Sequence, residues 1–159
     1  MATVTLPGLR RAISHAAPYG NAWKQRFTLT TNSAGVVAGS DQATALAIGD
    51  VVRIGWLPAG IELHDSLSIV PTAFKASTTI KLGFLYEDGI DVTDVPQDDD
   101  YFHAALNVAA AGRNRANNTA VLPVRLPKAA YLVVTIAGAA QDAAARLEVV
   151  IEGLNQGNP

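Results

Sequence analysis

Three consecutive carboxylates, Asp98, Asp99 and Asp100, close a segment from Glu87 to Asp100 that holds seven of the chain's 14 acidic residues. Oxygen-rich clusters of this kind bind calcium, so Asp98, Asp99 and Asp100 are candidate metal ligands. The spacing is not that of an EF-hand, with no Gly at loop position six and no Glu at twelve. Gly89 and Pro96 inside the segment predict a loop. Such a loop has two further readings: a solvated turn that keeps a charge-poor surface soluble, or a partner across a subunit boundary for Arg10, Arg11, Arg113 and Arg115. Paired carboxylates also serve glycoside hydrolysis, but these share one loop and do not face each other across a cleft.

The other reactive residue types form no constellation. His15, His64 and His103 are far apart and make no HxH or HExxH pattern. A cupin-like site would place two of them close together on one strand, and this chain does not. No serine stands in a G-x-S-x-G elbow, and neither a GxGxxG nor a phosphate loop is present. Without cysteine there is no disulfide, thiolate site or cysteine nucleophile. The residues imply no cofactor and no enzyme activity.

Alternating strands are the elements that hold these residues. Val52, Ile54 and Trp56 alternate with Val51, Arg53 and Gly55 before Leu57-Pro58-Ala59-Gly60 turns the chain. Leu67 and Ile69 alternate with Ser66, Ser68 and Val70. Ile80, Leu82, Phe84 and Tyr86 alternate with Lys81, Gly83 and Leu85 until Glu87-Asp88-Gly89. Period-two alternation bounded by Pro, Gly and Asp marks antiparallel strands with one face on a core. Trp23, Trp56, Phe84 and Tyr86 are expected inside as packing, not as a stacking platform. Trp23 to Leu29 begins the body, and Ala43 to Ile48 reads as a further strand. Tyr101 to Ala111 stays open between helix and strand, and Gly112 to Thr119 reads as a polar loop. Tyr131 to Ala137, apolar on both faces, is expected to be a central strand. Arg146 to Glu152 points Leu147, Val149 and Ile151 inward. About eight strands with connections of varied length predict an all-β jelly roll or another Greek-key sandwich. An immunoglobulin-type sandwich is the structural alternative.

A chain of 159 residues is most simply one domain. Residues 1–20 differ from the rest, with two prolines, two glycines and no sustained period. They divide the chain into an N-terminal arm (1–20) and a sandwich domain (21–159). The arm reads either as a draped terminus or as a segment that docks on a neighbouring subunit through Leu6, Leu9 and Ile13. Apolar residues make up 49% of the chain and charged residues 16%. That balance fits an alanine-rich body, and equally a surface covered by a partner. A formal net charge of −2 argues against a general nucleic-acid binder. No stretch reaches the length of a membrane span, and the N-terminus has no secretory pattern. A soluble protein made in the cytoplasm is expected.

Four blocks resemble structural proteins of tailed bacteriophages: LPGLRRAISHAAPYG at Leu6 to Gly20, GDVVRIGWLPAGIELHDSLSIV at Gly49 to Val70, STTIKLGFLYEDG at Ser77 to Gly89, and QDDDYFHAALNVAAAGRNRANN at Gln97 to Asn118. Together they are similar to the capsid decoration, or cement, proteins. That resemblance implies a β fold without enzyme activity on the exterior of the virion, made in the host cytoplasm. It also implies binding to the major capsid protein, clamping of neighbouring shell subunits, and a homotrimer or homodimer. The contact residues expected are Leu6, Leu9, Arg10, Arg11 and Ile13, with Arg113 and Arg115 in support. A carbohydrate- or calcium-dependent binding module on a virion or cell surface is the alternative, and it would depend on the acidic segment.

Overall fold

The computed structural model describes residues 1–5 and 21–157. Ten strands run in chain order: β1 (Thr3–Thr5), β2 (Ala22–Thr31), β3 (Val51–Leu57), β4 (Ile61–Thr72), β5 (Thr79–Tyr86), β6 (Asp98–Asn107), β7 (Gly112–Arg115), β8 (Val124–Arg125), β9 (Ala130–Ala137) and β10 (Ala145–Asn155). No helix occurs among the described residues. One sheet has the order β1-β3-β9-β5-β6; the other has β2-β10-β4-β7, with β8 also paired to β4.

The pairing is that of a long hairpin rolled into a sandwich. At its tip β5 pairs with β6; then β4 pairs with β7 and β8, β3 with β9, and β2 with β10, all antiparallel. Partners fall alternately into the two sheets, which is the jelly-roll arrangement of two Greek keys. β1 adds a parallel edge strand beside β3. Thr3–Thr5, which composition grouped with the arm, therefore belongs to the sheet, with Val4 buried. The Asp50 carboxylate fixes this corner by accepting from the backbone N–H groups of Ala2 (2.7 Å) and Ala47 (2.9 Å).

The core lies between the sheets. Leu132, Val134 and Ile136 of β9 meet Leu147, Val149 and Ile151 of β10, and all six are at most 1% exposed. Gly55 faces the core, where a Cβ would stand 2.1 Å from the Phe27 ring, so the position has room only for glycine. β9 lies centrally between β3 and β5, as its two-sided apolar pattern requires.

Register shifts interrupt simple alternation at several points, and two of them change which side chains face the core. A register shift between Arg53 and Gly55 makes Ile54 the extra residue of β3. Ile54 and Leu57 then point inward, and Trp56, expected inside, is half-buried on the outer face opposite Tyr131. The second shift, between Glu152 and Gly153, falls at His64 on β4. Beyond it Ser66, Ser68 and Val70 face the core, while Leu67 and Ile69 are half-buried outside.

The segment expected as a strand at Ala43 to Ile48 makes only isolated bridges, at Ala45 to Val36 and at Leu46 to Gln141. The region 101–111, open by sequence, continues β6 as far as Asn107. Gly112 to Arg115, expected as loop, is strand β7.

Candidate functional site

The acidic triad is part of a strand rather than a loop. Asp98–Asp100 opens β6, and between His103 and Asp98 that strand holds three residues more than β5 uses to go from Leu82 to Phe84. The surplus backbone arches over the outer face of β5 at Gly83. A Cβ on Gly83 would lie 2.0 Å from the Asp98 carbonyl oxygen and 2.7 Å from the Asp100 amide nitrogen. Glycine at this outward-facing position is what lets the arch close.

Three carboxylates at the arch come within 4.8 Å of one another. The cation beside them is Lys81, whose Nζ lies 3.2 Å from Asp99 and 3.4 Å from Asp100. Thr135 Oγ1 donates to the other oxygen of Asp99 at 3.0 Å. The hydrogen bond to Asp99 raises the Lys81 pKa above its ordinary value, against the effect of burial. Burial pushes the Asp98 carboxyl upward, and the adjacent Asp100 and Asp99 charges add to this. An ammonium from within the fold thus offsets part of the negative charge of the cluster, at Asp99 and Asp100.

Neither Arg113 nor Arg115 pairs with this cluster within the chain. Arg115 forms an ion pair with Asp65 and stands 3.6 Å from Glu152, both on the outer face of the other sheet. Arg113, opposite Ile69, is exposed and has no ion pair among the described residues. Leu6, Leu9, Arg10, Arg11, Ile13 and His15 lie outside the described residues. The sheet that carries Arg115 is laced with charge pairs, including Lys24 with Glu152 and Arg146 with Glu148. Burial works against the Glu148 charge, but donation from Thr28 and Arg146 outweighs it and holds the carboxyl below its usual range.

The two described histidines, His64 and His103, do not share a site. His64 is on the surface of β4 with Nε2 2.7 Å from Glu62. His103 is fully buried on β6, with Nδ1 2.9 Å from Asn117 Oδ1 and no hydrogen-bond partner at Nε2. Burial lowers its pKa, and the Asn117 contact offsets this only in part. On the outer face of the first sheet, Trp56 Nε1 donates to Glu87 at 3.1 Å and Arg53 stacks at 4.6 Å over the Tyr131 ring. This group fastens β3, β9 and the end of β5 together.

A surface hollow, which no sequence pattern signalled, opens at one end of the sandwich. Phe84 and Tyr101, edge to face at 5.5 Å, form the floor of a cleft of about 430 Å³. Val95 and Pro96 line it on one side and Val121 and Leu122 on the other. Its charged lining residues are Asp94 and Asp98, with no basic residue among them. Leu122 is 79% exposed and also borders a second hollow of about 270 Å³ that contains the Asp65 and Arg115 pair.

No protein-family profile matches the chain. No curated protein sequence matches it either. The fold is similar to a chain from the capsid of Ralstonia phage GP4, with a TM-score of 0.62 and 17% identity over 99% of this chain and 100% of that one. It is also similar to a chain from the acid-stable capsid of Helicobacter pylori bacteriophage KHP30, with a TM-score of 0.51 and 14% identity over 85% and 90% of the two chains.

Proposed function

We propose that this chain is a structural protein of a bacteriophage virion that binds the outside of the capsid and stabilises the shell by clamping neighbouring major capsid subunits. The observation that carries this reading is the fold likeness, which spans nearly the whole of this chain and of a chain from a phage capsid. Fold alone does not fix function, so the reading also draws on the residues. Those described assemble no catalytic group around the cleft, and two members of their acidic triad are paired with Lys81. What they do supply is a two-sheet body with an exposed leucine, Leu122, beside the cleft.

Contact is assigned to Leu6, Leu9, Arg10, Arg11 and Ile13, where apolar anchors alternate with fixed positive charge. Arg113 is the better of the two supporting arginines, being free to meet a partner's carboxylate. Arg115 is already engaged by Asp65 and Glu152. A homotrimer or homodimer on the virion exterior, made in the host cytoplasm, completes the reading. Repeated attachment through such an oligomer strengthens binding without any single large interface.

The test is a variant with Leu6, Leu9 and Ile13 changed to Ser and Arg10 and Arg11 to Gln. It should keep the parent's melting temperature and lose binding to shells that lack the protein. Full binding by this variant would refute the contact assignment. Removing residues 1–20 outright is a poorer test, because it also deletes β1 and the Ala2 contact to Asp50.

A further inference from the structure

We propose that the turn between β6 and β7 docks in the Val95–Leu122 cleft of a second copy of this chain, where Arg113 pairs with Asp94. The proposal deepens the homo-oligomer of the capsid reading and rests on that reading only for the setting in which copies meet. The charge pairing within the chain selects the two residues. Among the described lysines and arginines, every side chain but Arg113 has an ion pair, a hydrogen bond or an aromatic ring as partner. Among the described carboxylates, every one but Asp94 has an ion pair or accepts a hydrogen bond. One cation and one carboxylate are left over, and they are complementary.

Their surroundings match as well. Asp94 is exposed and lines an apolar cleft that holds no basic residue. Arg113 follows Ala110-Ala111-Gly112, an exposed run of small residues at the tip of the β6–β7 connection. No bulky side chain in that run keeps it out of a cleft of about 430 Å³. Burial of the tip adds the apolar contact that an exposed ion pair would lack. The same chain cannot make this pair. Val124 in the cleft lining is opposite Leu63, which is opposite Gly153 of β10. Arg113 is opposite Ile69, which is opposite Glu148. From Glu148 to Gly153 is about 17 Å of strand, and an arginine side chain spans roughly 7 Å. A second copy meets no such limit. The two surfaces differ, so the contact suits a head-to-tail ring of three or a reciprocal pair.

The test is light scattering on the purified protein, without shells. The parent should associate. Asp94→Arg and Arg113→Asp, at exposed positions, should each keep the parent's melting temperature and weaken association at least about tenfold, because like charges then face each other. Mixed in equal amounts, the two variants should associate again, since each supplies the surface the other has lost. The Asp94→Arg/Arg113→Asp double variant, with the pair reversed, should also associate. A parent that stays monomeric at about 1 mM overturns the proposal. So do single variants that associate as the parent does, or a mixture that stays monomeric. Shell binding is scored separately: rescue by mixing without shell binding removes the capsid reading and leaves this contact. Shell binding without rescue does the reverse.

Discussion

At the scale of single residues, Lys81 and Gly83 decide what the acidic triad is. The Lys81 ammonium already holds Asp99 and Asp100 and competes with any added cation, so calcium should leave the melting temperature of the protein unchanged. Replacing Lys81 with Met leaves three crowded carboxylates without their counter-charge, and that variant should become stabilised by added calcium. A calcium-dependent rise in the unmodified protein would contradict this account. Gly83→Ala forces a methyl group into the arch and should cost about 1–3 kcal/mol in urea unfolding, as overpacking does elsewhere. Ser66 and Ser68 are buried with no hydrogen-bond partner at either hydroxyl. Ser66→Ala should therefore be neutral or stabilising by roughly 1 kcal/mol, since it removes an unsatisfied group.

His103 sets a pH dependence at the same scale. Its folded pKa is lowered by burial, so the unfolded chain binds the proton more readily. Its contribution to stability is fully present above an unfolded pKa of about 6.5 and is lost as pH falls from there toward the folded value. Denaturation midpoints measured from pH 8 down to pH 5 should decline across that window. In His103→Gln, which keeps a donor for Asn117, the decline above pH 5 should flatten even if overall stability drops. An unchanged slope would remove His103 as the cause.

At the scale of elements, the strands that alternate without interruption were legible in the sequence. Leu147, Val149 and Ile151 point inward as their spacing requires, and the doubly apolar run at Tyr131 to Ala137 is central. Misreadings fall where the backbone departs from period two. A single extra residue at Ile54 moves Trp56 to the outer face, and one at His64 turns Ser66 and Ser68 inward. Nothing in side-chain type marks such a bulge, because its cause is the register of the partner strand. The acidic segment read as a loop from Gly89 and Pro96 and is irregular as far as Gln97, but Asp98–Asp100 opens β6, where Lys81 and Thr135 hold the arch. β1 is the element whose weight is easiest to measure. Deleting residues 1–5 removes the buried Val4 side chain and the Ala2 hydrogen bond to Asp50, and should cost about 2–3 kcal/mol.

At the scale of the whole molecule, the strand count pointed to a jelly roll, and the pairing of β2 with β10 through β5 with β6 is one. The cleft was not legible, because it joins Phe84, Val95, Tyr101 and Leu122 from four separate stretches. Nor do composition and charge specify a partner. A low-charge, alanine-rich body suits any oligomeric protein whose surface is partly covered. The proposed virion role thus rests on the likeness in fold to chains from two phage capsids, joined to the apolar and basic character of the N-terminal sequence.

The most direct test of that assignment is to add purified protein to phage shells that lack it. Bound copies per major capsid subunit and the melting temperature of the shell are then measured together. Saturable binding at a fixed ratio, with a rise in shell melting that the Leu6, Leu9, Arg10, Arg11 and Ile13 variant fails to produce, is the predicted result. Absence of binding, or binding that leaves shell melting unchanged, would contradict a role in stabilising the capsid.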